Sequence, residues 1–275
     1  MSTLAKEHLD LVVKTVRGMT PIREYATPAP LVAQAREHLQ RLRASPPKEV
    51  AEHPMFVAML DAGPELLAHA WARMSPAALT MCGEASVRHL LGALETIVAE
   101  GVPGDLLEAG VWRGGLPIIM RAFLRVRDLA DRRVWVADSF VGLPSAPDDP
   151  RDRVAYVLME PIVHLAVSRA EVEQAFAFFG LLDAQVCFLE GWFADTLARA
   201  PIERLALIRL DGDFFESTMT SLEALYPKLS RGGYLIVDDY NLPLGCKDAV
   251  DEYRARHGIS APMESINPQA VFWRK

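Results

Sequence analysis

Two apolar runs in this chain end abruptly in paired acids: Leu205-Ala-Leu-Ile-Arg-Leu-Asp-Gly-Asp213 and, further on, Gly233-Tyr-Leu-Ile-Val-Asp-Asp239. A short continuous apolar run reads as a strand buried on both faces of a parallel sheet, and carboxylates that follow it directly stand on the sheet's carboxyl rim. Asp211, Asp213, Asp238 and Asp239 are therefore the first functional candidates. One such Asp can do no more than cap the next helix. Two pairs at two successive strand ends ask for a shared task.

The rest of the chain fits a sheet of that kind. From Gly83 onward strands and helices alternate, the pattern of an α/β fold. Strands are expected at 105–109, 133–138 and 185–189, then at the two acid-tipped runs, with 263–266 and 270–273 as a closing antiparallel pair. Helices are expected at 84–100, 114–127, 168–179, 192–200, 217–229 and 246–257, and Ser168-Arg-Ala-Glu171 has the form of a capping box. Residues 1–80 are punctuated by prolines and read as a helical N-terminal cap, with helical spacing at 31–42 and 65–74 and Trp71 and Met74 as packing residues. Residues 81–275 form the core domain. The 142–153 stretch, rich in Pro and Asp, is long enough to close over the rim.

Composition narrows the function. Half the residues are hydrophobic, enough for a sizeable core, and 36 acids against 29 Lys and Arg argue against nucleic acid or an anionic membrane surface as partner. Small-molecule chemistry is the default. Cys82, Cys187 and Cys246 are odd in number and far apart, which fits reduced thiols in the cytoplasm, and no Cys/His spacing suggests zinc. No leader-like or membrane-spanning apolar stretch is visible, so a cytoplasmic protein is expected, and the hydrophobic N-terminal helices leave room for a homodimer.

The first expected strand runs into Glu108-Ala-Gly-Val-Trp-Arg-Gly-Gly115. Glycines at 110, 114 and 115 let a ligand approach the backbone where an open α/β sheet binds nucleotides. A dinucleotide fingerprint would place its second glycine where Trp112 stands. Glu108 would repel a pyrophosphate but attract the ammonium or sulfonium end of S-adenosylmethionine. Asp138, at the end of the second strand and followed by Ser139, stands where an acid grips two ribose hydroxyls. Gly191 and Trp192 follow the third strand, and Trp192 is a stacking wall for an adenine or an ordinary packing residue.

These segments, together with Trp135-Val-Ala-Asp-Ser-Phe140, Leu210-Asp-Gly-Asp213 before Glu216-Ser-Thr218, Tyr226-Pro-Lys-Leu229 and Gly232-Gly-Tyr-Leu-Ile-Val-Asp-Asp239, resemble the macrocin O-methyltransferase family from about Thr80 to the C-terminus. The resemblance implies a class I methyltransferase fold with a seven-stranded sheet, S-adenosylmethionine as donor, and a sugar hydroxyl of a natural product as acceptor. It also implies a divalent cation, usually magnesium, on Asp211, Asp238 and Asp239. Magnesium takes hard oxygen ligands and keeps open positions, so a substrate hydroxyl can join three carboxylates there. Adjacent strand residues point to opposite faces, so Asp238 and Asp239 both ligate only if the chain has already turned.

For the proton acceptor, catechol-type relatives carry a lysine where this chain has Phe214, and Phe215 replaces an aromatic hydroxyl common in the family. Asp211 or Asp213 is the available base, with His164 and His257 behind them. Other readings keep the donor and change the acceptor to a phenol, a catechol or a nitrogen, or make the chain an NAD(P)-dependent dehydrogenase.

Overall fold

The computed structural model describes residues 3–18, 29–46, 57, 60–61, 63–64, 78–144, 149, 151–152, 156, 165–242 and 245–275. Its strands are β1 (Asp105–Ala109), β2 (Val134–Asp138), β3 (Val186–Glu190), β4 (Leu205–Leu210), β5 (Leu229–Val237), β6 (Glu264–Ser265) and β7 (Val271–Arg274). They form one seven-stranded sheet in the order β3-β2-β1-β4-β5-β7-β6. The strands from β3 to β5 run parallel, whereas β7 is antiparallel to both β5 and β6. The expected α/β sheet and its closing antiparallel pair are therefore present.

The helices whose bounds fall within the described residues are α1 (Thr3–Val16), α2 (Ala29–Ala44), α3 (Glu84–Ala99), α4 (Gly115–Val126), α5 (Arg169–Phe178), α6 (Phe193–Thr196), α7 (Phe215–Leu225) and α8 (Gly245–Arg256). Ser168 and Glu171 form the expected capping box at the start of α5. Two helices differ from expectation. α6 makes a single turn where 192–200 was expected, the chain leaving the helix after Thr196. α7 tightens into a 3-10 turn over Tyr226–Lys228, since Pro227 brings no amide to continue the ladder.

Every residue of β4 is buried, as expected of a strand covered on both faces. Alternate side chains feed two cores. Leu106, Val134, Val136, Leu207 and Ile236 pack with α3, α4 and α5, while Leu107, Ala137, Ile208, Leu210 and Val237 pack with α7 and α8. α1 adds Leu9, Val12 and Val16 to the first core, and the Val16 carbonyl accepts a 2.8 Å bond from Leu79 N. No helix among the described residues is long and apolar enough to cross a membrane. The expected helix at 65–74 with Trp71 and Met74, and His164, lie outside the described residues, as does part of 142–153.

Strand register builds the rim. Ala109, Ala137, Leu210 and Val237 lie level across β2, β1, β4 and β5. One step on, Asp138, Gly110, Asp211 and Asp238 form the next row, held by Gly110 N to Ala137 O at 2.9 Å, Asp211 N to Ala109 O at 2.8 Å and Asp238 N to Leu210 O at 3.0 Å.

Candidate active site

Gly110 closes the first turn at φ 86°, in the left-handed region that favours glycine. A Cβ there would overlap the carbonyl oxygen of Asp211, so the β1 and β4 ends meet backbone to backbone. Asp138 braces this turn: its Oδ2 accepts from Val111 N at 2.8 Å and Trp112 N at 3.3 Å, and its Oδ1 accepts from Phe140 N at 2.9 Å. Ser139 donates its hydroxyl to Gly142 O at 2.7 Å and so shapes the start of the following loop. Gly114 precedes α4 beside Val172, and Gly191 N donates to Asp138 O at 3.0 Å; both shape turns at the rim. Trp112, Phe140 and Asp213 hold left-handed backbone at non-glycine positions. Such conformations persist only where neighbours enforce them, and they gather at functional sites.

Arg209 organises the acids, and sequence reasoning missed it. It is 2% exposed on β4, level with Glu108 on β1. Its Nη1 donates to Glu108 and, at 2.8 Å, to Asp211; its Nη2 reaches Asp238 at 2.8 Å and Cys82 Sγ at 3.0 Å. Burial works against the guanidinium charge, and the acids Asp238, Asp211 and Glu108 outweigh it. A signal was present, because an arginine inside an apolar strand must be paired to stay buried. Glu108 is itself 2% exposed; burial pushes its carboxyl up to about 8 against the pull of Arg209, and its Oε2 has no hydrogen-bond partner.

Beyond this clamp the carboxylates of Asp211, Asp213 and Asp239 converge, with ligand oxygens all within 4.8 Å of one another. Burial, and after it the charge of Asp211, lifts Asp213 to about 8. Burial and the neighbouring Asp213 raise Asp239 as well. Asp239 Oδ2 is buried without a hydrogen-bond partner. Crowded oxygen donors with one orphaned atom suit a hard divalent cation. Asp238 stands beside the group, with one oxygen on Arg209. The chain turns between Asp238 and Asp239, and the two carboxylates point to different neighbours.

Two cavities flank these acids. One, of about 520 Å³, runs past Gly110, Trp112, Asp138, Ser139 and the 41% exposed Trp192 to Asp211 and Asp213. The other, about 570 Å³, holds Glu108, Arg209, Asp238 and Asp239, with Asn267 and Gln269 on its wall. Gly110, Trp112, Asp211 and Asp213 border both, so the two spaces meet at the acids. His257 lines neither; it follows α8 directly, with its ring 4.3 Å from that of Tyr253.

A glycine turn after β1, an acid after β2, and acids after β4 and β5, on a sheet whose β7 is antiparallel, define a class I methyltransferase. The solved structure of the O-methyltransferase NovP superposes with a TM-score of 0.76 at 38% identity, covering 98% of this chain and 99% of that one. The family described as macrocin-O-methyltransferase (TylF) matches residues 6–275, and so reaches the N-terminal region that the recognisable motifs do not. The chain belongs to this family and is an O-methyltransferase. It is 51% identical over 216 residues to the 8-demethyl-8-(2,3-dimethoxy-alpha-L-rhamnosyl)-tetracenomycin-C 4'-O-methyltransferase of Streptomyces olivaceus, covering 78% of this chain and 81% of that protein. It is 48% identical over 199 residues to the mycinamicin III 3''-O-methyltransferase of Micromonospora griseorubida, covering 71% of this chain and 78% of the relative.

Proposed function

We propose that this enzyme methylates a hydroxyl on the sugar of a glycosylated natural product, with S-adenosylmethionine as donor and a divalent cation at the acids. The observation that carries this is the convergence of Asp211, Asp213 and Asp239 where the two cavities meet, beside the Gly110 turn. The names of the relatives above support the sugar acceptor.

The first cavity offers Asp138, Ser139 and Trp192 to the nucleoside of the donor, and Glu108 offers an unpaired buried oxygen to its ammonium. Asp211 and Asp239 would hold the cation, joined by the oxygen of Asp238 that Arg209 leaves free. Bound there, a divalent ion acidifies an acceptor hydroxyl and orients it. Asp213, bordering both cavities beside the carboxylates that would hold the ion, takes the hydroxyl proton. Arg209 keeps Glu108, Asp211 and Asp238 aimed while the proton moves.

Calorimetric titration with S-adenosylhomocysteine and with NAD, each with and without magnesium, tests the donor and the cation. Methyl transfer to a rhamnoside compared with a catechol tests the acceptor. Binding of NAD without the homocysteine nucleoside, or turnover of the catechol alone, would overturn this reading.

A further inference from the structure

We propose that Asp152, from the loop after β2, is a positioning residue that holds Asp213 in place. Resting on the cation reading above, the proposal extends it to a residue outside the acid cluster.

Asp152 is fully buried, which is unusual for an aspartate and calls for specific partners. It has them at the start of α7: its Oδ1 accepts from Phe215 N and its Oδ2 from Glu216 N at 3.1 Å. Gly245, at the head of α8, makes room for it, since a Cβ there would overlap Asp152 Oδ1. The neighbouring Arg151 lies 3.2 Å over the centre of the Phe215 ring and is tied to Asp149 at 2.5 Å and Glu252 at 3.5 Å. Leu143 and Tyr156 pack on the buried Phe214.

One loop therefore grips Phe214 by its side chain and Phe215 by both amide and ring, directly after Asp213. Asp213 sits at φ 57°, a conformation that an aspartate keeps only when its surroundings impose it. Upstream, the chain is pinned by Asp211 N on Ala109 O; downstream, Asp152 supplies the opposite anchor. Asp152 lies on the wall of the first cavity and outside the cation cluster, and it acts on that cluster through the backbone that carries Asp213.

The test uses the full chain with Asp152→Ala and the isosteric Asp152→Asn, checked for folding by circular dichroism and titrated separately with Mn2+ and with S-adenosylhomocysteine. The Asp213 carboxylate lies within 4.8 Å of those of Asp211 and Asp239 and so within the field of the cation, and its displacement should weaken Mn2+ binding on the order of ten-fold in Asp152→Ala. The loss should be smaller in Asp152→Asn, which keeps one acceptor oxygen. Asp152 also borders the first cavity, but the donor turn is braced by Asp138, so affinity for the homocysteine nucleoside should fall clearly less than that for Mn2+ in both. Parental Mn2+ affinity in either folded variant, or equal loss of both ligands, would overturn the positioning role. No Mn2+ binding by the parent would instead refute the cation reading and the proposal with it.

Discussion

Gly110→Ala is a severe perturbation for a single methyl group. The new Cβ would overlap the carbonyl oxygen of Asp211, a backbone atom that cannot swing aside as a side chain would. Left-handed backbone adds about 1–2 kcal/mol for a residue with a Cβ. Forcing β1 and β4 apart costs about 1–3 kcal/mol as overpacking. It also strains the Gly110–Ala137 and Asp211–Ala109 rungs, each worth roughly 0.5–1.5 kcal/mol. Together these give about 3–8 kcal/mol, a large part of a typical stability of 5–15 kcal/mol. At roughly 2–3 °C per kcal/mol for a chain of this size, the melting midpoint should fall by about 6–24 °C. Gly92→Ala is the control: it lies inside α3 with nothing within 4 Å of an added Cβ, and should raise stability by about 0.5–1 kcal/mol. Scanning calorimetry reads both, and calorimetric titration should find S-adenosylhomocysteine affinity lost in Gly110→Ala alone. A Gly110→Ala protein with the parental midpoint and donor affinity would refute the close approach of the two strand ends.

Arg209→Met should cost about 3 kcal/mol in a urea titration, because removing one side of a buried ion pair strands its partner, and Arg209→Lys should recover only part of it; a neutral Arg209→Met would mean that the acids do not depend on it. Asp213 and Asp239 have folded pKa values raised above those of the unfolded chain, so without a cation the folded state holds more protons, and stability should fall as pH rises from about 4 to 8. A cation must displace those protons, so Mn2+ affinity should climb between pH 6 and 8 by up to about ten-fold per unit for each proton released; a flat profile in calorimetry would count against this account of the cluster.

How far the sequence could be read depends on what each feature needs. Apolar runs and helical spacing are local, so the strand order of events along the chain, the capping box at Ser168 and the acids after β4 and β5 were legible. The length of α6 was not, because apolar spacing alone says nothing of where the backbone must leave the helix. Asp152 looked like any acid of a polar loop, and its burial exists only because that loop is pressed against α7 and α8.

Arg209 shows the deeper limit. Taken with its neighbours it dilutes an apolar run by one residue and leaves the strand assignment intact. Its meaning appears only when register sets Glu108 level with it and Asp211 and Asp238 one step beyond, on adjacent strands. An unpaired guanidinium at that depth would be untenable. The burial of Arg209 therefore requires that acids from β1, β4 and β5 be brought together, and the same requirement leaves Asp239, which Arg209 does not bond, to face Asp211 and Asp213. The pairing that stabilises the sheet's interior thus leaves the rim short of positive charge: one guanidinium serves Glu108, Asp211 and Asp238, and Asp211, shared with Asp213 and Asp239, marks where a cation belongs.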